Sequence, residues 1–282
     1  MSERGARAPA LVGAGALAAC ALLAIAAPWL APYDPRLPVG PPLAGPSLAH
    51  LLGANDVGQD LFSQLLYGVR TSLLVAAAVT ALSTALSWGV GLAAGMFRAA
   101  ETVLLPLAEL LLALPSLPLY LLIVTLVGPS LLHLVLALAL LSWPSFARIV
   151  RSIVLTARTA QHVEAAQAIG ASPAHILRRH LLPATLDVLP TKLILTVRFA
   201  VFTEATLAFL GLGDPSTVSC GTMLNHAFDD PLLFSRPVWP WLVLPPAAAI
   251  VLLVLGTVWF SQALEGWRAR GARVTAPAPG LS

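Results

Sequence analysis

The sequence predicts an all-α polytopic membrane protein with six transmembrane helices, on three observations. Only 10% of its 282 residues are charged and 58% are hydrophobic, where a soluble domain would carry about 25% charge. Six apolar runs approach or exceed the roughly 20 residues that a hydrocarbon core about 30 Å thick demands of a spanning helix. The arginines between and beyond those runs concentrate in alternate connections, on one side of the predicted bundle.

The runs cover about 10–31, 72–97, 103–127, 129–147, 190–212 and 240–262. Arg4 and Arg7 before the first run, and the lipoprotein-like Leu17-Ala18-Ala19-Cys20, imitate a cleaved leader. The run continues to Ala31, too long for a signal core, so it reads as an uncleaved anchor. Pro115 and Pro118 fall in the third run, Pro144 in the fourth and Pro245-Pro246 in the sixth. Neighbouring helices must supply partners for the carbonyls those prolines free, which predicts a packed bundle.

With six spans, Arg4, Arg7, Arg98, Arg148, Arg151, Arg158, Arg178, Arg179, Arg268, Arg270 and Arg273 all lie on one side. The other side holds Asp34, Asp56, Asp60, Asp214, Asp229 and Asp230. Positive loops stay cytoplasmic, which places both termini there. The chain then divides into a cytoplasmic tail (1–9), a first transmembrane helix (10–31), an extracytoplasmic segment (32–71), a core with the other five transmembrane helices (72–267) and a cytoplasmic tail (268–282). Within the core, 148–189 is a cytoplasmic loop.

That loop contains a polar stretch, HVEAAQAIGASPAHILRRHLLPA (162–184). Val163 to Ile169 favours helix by composition, and Gly170 is placed to end it in a left-handed cap. Ser172 before Pro173 predicts an N-cap and first helical position, opening a second helix that Pro183 closes. Leu177 and Leu181 share one face of it, with Arg178 and Arg179 elsewhere. Glu164 has no basic residue three or four positions away. Two readings stand on composition: a connector lying on lipid phosphates, or a docking knob for a cytoplasmic partner.

Glu164-Ala165-Ala166, three residues, Gly170 and then Leu182-Pro183 resemble the "EAA" loop of ABC-transporter permeases of the binding-protein-dependent import type. GANDVGQDLFSQLLYGVRTSLLV (53–75), SWPSFARIVRSIVL (142–155) and TEATLAFLGLGDP (203–215) resemble ordered blocks of the dipeptide/oligopeptide/nickel permeases, and the long segment after the first span is similar to their C-type subunit. The resemblance implies a type I ABC importer permease fold in a bacterial inner membrane. It implies a homologous permease subunit, two cytoplasmic ATPase subunits and an extracytoplasmic solute-binding protein as partners. ATP is used by the ATPases, and this chain binds no cofactor of its own. The loop would be the coupling element seated on an ATPase, through Glu164, Ala165, Ala166, Gly170 and Pro183. Di- or oligopeptides are the implied cargo, with nickel or a metal chelate as the alternative. Departures are His180 for an aliphatic residue, Cys220 in VSCGTML where tryptophan is common, Gln59 for arginine before Asp60, and the placing of Glu109.

Ionisable groups inside spans are rare and mark pathways or paired positions. Glu109, Lys192 (the only lysine), Arg198 and Glu204 qualify. Glu109 reads either as pathway-lining or as interhelical packing. Glu204 reads as a hydrogen-bonding group near the end of the fifth span, and Arg198, six residues away, does not share its face. Asn55-Asp56 reads as the N-cap of an amphipathic extracytoplasmic helix. Two cysteines give no disulfide framework, and His50, His226 and Asp229-Asp230 lack metal-ligand spacing. Nucleotide-binding, HExxH and GxSxG motifs are absent from the sequence, and Gly13-Ala-Gly15-Ala-Leu-Ala18 lies inside a span rather than after a strand. No catalytic residue, metal site or nucleic-acid partner is predicted. A rival of another class, an ion-coupled secondary transporter, predicts inverted repeats, and none is evident.

Overall fold

The computed structural model describes residues 3–274, with side chains described for Gly15 and for 17–261. The side chains of Arg4, Arg7, Arg268, Arg270 and Arg273 lie outside the described residues. The elements in chain order are α1 (Glu3–Leu30), α2 (Leu61–Met96), α3 (Arg98–Ala113), α4 (Ser116–Val127), α5 (Leu131–Ser142), α6 (Pro144–Arg158), α7 (Gln161–Ala168), α8 (Pro173–Ile176), α9 (Leu182–Thr185), α10 (Leu189–Leu207), α11 (Cys220–Phe228) and α12 (Trp239–Val274). Among the described residues no strand forms beyond two isolated bridges, Pro38 to Gln59 and Ala54 to Asp60.

Four helical stretches are long and apolar enough to cross a membrane: Leu61–Met96, Leu131–Arg158, Pro173–Leu212 and Trp239–Ser261. The expected third span is a pair of helices, α3 and α4, bent by 96°. Leu114 and Pro115 are extended at the bend, as the steric demand of proline on its predecessor requires. In the first expected span the described apolar part is Leu17–Leu30.

The chain forms two compact units: one of residues 1–74, 201–211 and 216–282, the other of 75–200 and 212–215. In the first, α1 and α11 pack along α12. Ala24, Val69 and Cys220 are buried together beside Leu65 and Ile250. Burial pushes the Cys220 thiol well above its ordinary pKa, so it behaves as a small apolar filler there.

The start of α2 corrects one expectation. Asn55 does not cap a helix; its carboxamide oxygen accepts from the N–H groups of Val57 (3.1 Å) and Gln59 (2.8 Å) in a turn. Asp60 is the cap. Its Oδ2 accepts from the Ser63 N–H (2.8 Å) and hydroxyl (2.7 Å), while His50 Nδ1 lies 2.9 Å from its Oδ1. No break separates the expected extracytoplasmic helix from the span: both are α2, whose 36 residues reach about 54 Å at roughly 1.5 Å each, well beyond a hydrocarbon core. Asp60→Ala removes the cap and strands the buried His50, and is expected to cost about 2 kcal/mol. Thermal unfolding of the purified chain in detergent reads this, and an unchanged midpoint would refute the role.

In the second unit, α3 and α9 pack on α6. Polar side chains of neighbouring helices bond carbonyls at the junction of α5 and α6, Trp143-Pro144. Lys192 Nζ donates to the Ser142 carbonyl (3.1 Å) and to Ser83 Oγ (2.6 Å), and Ser87 Oγ donates to the Trp143 carbonyl (3.0 Å).

Two boundaries move. α6 continues the expected fourth span to Arg158, eleven residues past its expected end at 147. Pro183 does not close a helix either: the turn Leu177–Leu181 widens to a π turn in which the Leu182 N–H bonds the Leu177 carbonyl. Pro183 follows in α9, and one short 3₁₀ turn leads into α10, which a second π turn, Ala208–Leu212, follows. The wider turn spares the proline the clash it would meet in a regular α-helix.

Candidate coupling surface and polar cavities

A single buried residue sets the orientation of α7. Val163 is fully buried beside Trp88, Val150, Val154, Ile176 and Leu181, whereas Glu164, Ala165, Gln167 and Ala168 are exposed and Ala166 is half-buried. One valine therefore pins the helix, and its other faces stay free.

The turn after α7 is built locally. Gly170 adopts φ +86°, its N–H bonds the Gln167 carbonyl (3.0 Å), and the Ala171 N–H bonds the Ala166 carbonyl (3.0 Å). These are the two bonds of a Schellman cap, whose left-handed residue glycine supplies without strain. Ser172 then N-caps α8, its Oγ accepting from the His175 N–H at 3.3 Å. Ile169, at the cap, is 87% exposed. With Ala165 and Ala168 it makes an apolar strip on an otherwise polar turn.

The insert is tied back to the spans. Trp88 Nε1 donates to Thr185 Oγ1 at 3.0 Å. Arg158 Nη1 donates to the carbonyls of Gly95 (2.8 Å) and Met96 (3.2 Å), capping the C-terminus of α2, where cations are favoured. The rings of His162 and His175 both neighbour His180, with centroids 5.4 and 6.2 Å away. Among the described residues no group of three His, Cys, Asp or Glu is placed to hold a metal ion.

The expected site residues are thus distributed as follows. Glu164, Ala165, Ala166 and Gly170 come together on α7 and its cap, while Pro183 is exposed in α9, outside that turn. Glu109 is exposed on α3 and lines a cavity of about 710 Å³ with Arg148 and Arg151 of α6. Arg198 is exposed on α10. Glu204 is 2% exposed and accepts from Ser72 Oγ at 2.8 Å, with Ser219 as a second hydrogen-bond partner.

Three features escaped the sequence reading. Ile169 carried one signal, an apolar residue directly before the capping glycine. The ion pair of Arg151 with Glu101 joins residues fifty positions apart, with no pattern to link them. Lys192 stood out as the single lysine, but nothing in the sequence pointed to Ser83 or to the broken helix end it serves.

Comparison with known proteins places these features in context. The family described as binding-protein-dependent transport system inner membrane component matches residues 85–270. A peptide permease protein of Brucella ovis is 36% identical over 240 residues, covering 84% of this chain and 78% of its own. A peptide transport system permease protein of Brucella suis biovar 1 is 35% identical over 236 residues (83% and 78%). The dipeptide transport system permease protein DppC of Haemophilus influenzae is 33% identical over 255 residues (87% and 85%).

Proposed function

This chain belongs to the family of binding-protein-dependent transport system inner membrane components, and from that premise we propose how it works as the permease subunit of an ATP-driven peptide importer. The observation that carries the reading is its similarity, over more than four-fifths of its length, to proteins named as peptide and dipeptide permeases. The ion-coupled alternative falls with the family membership.

α1, α2, the bent pair α3/α4, the stretch Leu131–Arg158, the stretch Pro173–Leu212 and α12 supply six crossings. The arginine distribution then puts both termini and α7–α8 in the cytoplasm. There two ATPase subunits meet this chain and a homologous permease partner, while a solute-binding protein delivers peptide from outside. ATP is hydrolysed by the partners. The α7 turn is the contact with an ATPase: the exposed Ala165, Ala168 and Ile169 supply an apolar patch, Glu164 supplies a charge for a basic partner residue, and the glycine cap presents both.

Motion reaches the spans through the insert's anchors. Val163 sits in the Trp88 cluster, and Arg158 holds the end of α2. A push on α7 is therefore delivered to α2 and α6 rather than absorbed by a slack loop.

The test is uptake by proteoliposomes holding this chain, its permease partner and both ATPases. Labelled dipeptide should accumulate only with the binding protein outside and ATP inside. Accumulation driven by an ion gradient without ATP would sink the reading.

A further inference from the structure

We propose that the cavity between α3 and α6 is a binding site for the two charged ends of a short peptide, Arg148 receiving the carboxylate and Glu109 the ammonium. The inference rests on the peptide-importer reading and adds to it a place in this chain where the cargo is held.

α6 has two faces. Pro144, Ala147, Val150 and Val154 are buried, while Ser145, Arg148 and Ser152 recur at intervals of three and four on an exposed face. That face and Glu109 of α3 line the 710 Å³ cavity, with Leu105, Leu112 and Ile149 completing it. The volume falls within the roughly 300–1,000 Å³ of small-ligand sites, and the mixture of apolar wall and few polar groups is typical of them.

The charge inventory singles out two residues. Arg151 is already neutralised by Glu101. Arg148 and Glu109 face the same cavity, yet among the described residues neither forms an ion pair with the other or with anything else. Both side chains are exposed, so each is free to meet water or something carried in it. Opposite charges that line one cavity without pairing can each receive one end of a zwitterion, and the termini of a dipeptide stand about 5–7 Å apart. The hydroxyls of Ser145 and Ser152, one turn either side of Arg148, offer bonds to the peptide group.

The cavity also continues. A second one of about 340 Å³ shares Leu112 and Ser145 with it and is walled by Leu111, Tyr120, Phe146 and Phe199. Lys192, Ser116, Ser142 and Thr196 also line it, and its aromatic walls leave room beside the charged ends for a peptide side chain.

The experiment is equilibrium dialysis of the assembled importer in nanodiscs, without binding protein, against radiolabelled Ala-Phe, N-acetyl-Ala-Phe and Ala-Phe-amide. In the parent, each cap should weaken binding about tenfold or more, the loss expected for one charged hydrogen-bonded contact. Glu109→Gln should lose the penalty for acetylation, to under about twofold, and keep that for amidation; Arg148→Gln should show the reverse. A merely structural role would lower binding of all three peptides alike. Equal capping penalties in parent and variants, or no binding of Ala-Phe by the parent, overturn the proposal. They leave the importer reading intact if the same preparation still accumulates Ala-Phe with ATP and binding protein. If that uptake is also missing, the peptide-importer reading itself has failed.

Discussion

Glu164→Arg and Ile169→Glu are each expected to lower ATP-driven uptake by about thirtyfold while leaving the chain's own melting temperature where it was. Truncating or reversing a central interface residue costs on the order of 2 kcal/mol or more, which is about thirtyfold in affinity. Ile169→Glu would carry an unpaired carboxylate into an apolar contact, and Glu164→Arg would set like charge against the partner's cation. Neither touches the chain's own core, since both side chains are exposed, and exposed substitutions shift stability by about 0.5 kcal/mol or less. Co-purification of the ATPase subunits should fall in parallel with uptake. A lost melting transition would mean that the insert had unfolded; full retention of the ATPase would mean that α7 is not the contact. Val163→Asp makes the contrast, because that residue is buried in the Trp88 cluster and its replacement should destabilise the chain itself.

The insert was the most legible part of the sequence because its rules are local. Gly170, Ser172 and Pro173 act within a turn of one another, and the observed Schellman cap and serine N-cap need no distant partner. The failures have equally physical causes. Pro183 was read as a stop, but a π turn upstream absorbed it. Asn55 has the chemistry of a cap, yet Asp60 won the role because it also binds Ser63 Oγ and His50. Pro115 was read as tolerated inside a continuous third span, and nothing local stated that the axis would turn by 96° there. The cavity facing Glu109 was invisible for a different reason. Its walls come from helices about forty residues apart in the chain, and the amphipathic face of α6 was hidden inside what read as the end of a span and the start of a loop.

Gly91→Leu is expected to destabilise the chain by about 3 kcal/mol or more and to abolish uptake, although Gly91 lies in a spanning helix. A Cβ on Gly91 would stand 2.7 Å from Val150 Cβ and 2.8 Å from the Ala147 carbonyl oxygen; one on Gly95 would stand 2.6 Å from Val154 Cγ1. The GLAAG stretch 91–95 is thus a small-xxx-small seam that lets α2 and α6 approach backbone to backbone, the main source of helix association where both sides are apolar. Leucine there must push the helices apart, and overpacking of this kind costs about 1–3 kcal/mol even where side chains alone must move. Gly89 provides the control: a Cβ there meets nothing within 4 Å, and leucine gains about 0.8 kcal/mol of helix propensity over glycine. Gly89→Leu should therefore melt no lower than the parent, and equal midpoints for the two variants would refute the seam. The consequence for coupling follows from what α6 carries. α7 begins three residues after Arg158, and the bonds from Arg158 to Gly95 and Met96 hold it to the end of α2. Widening the seam moves that junction away from its anchors. Gly91→Leu should then lose transport through the position of Glu164 and Ile169 rather than through their chemistry.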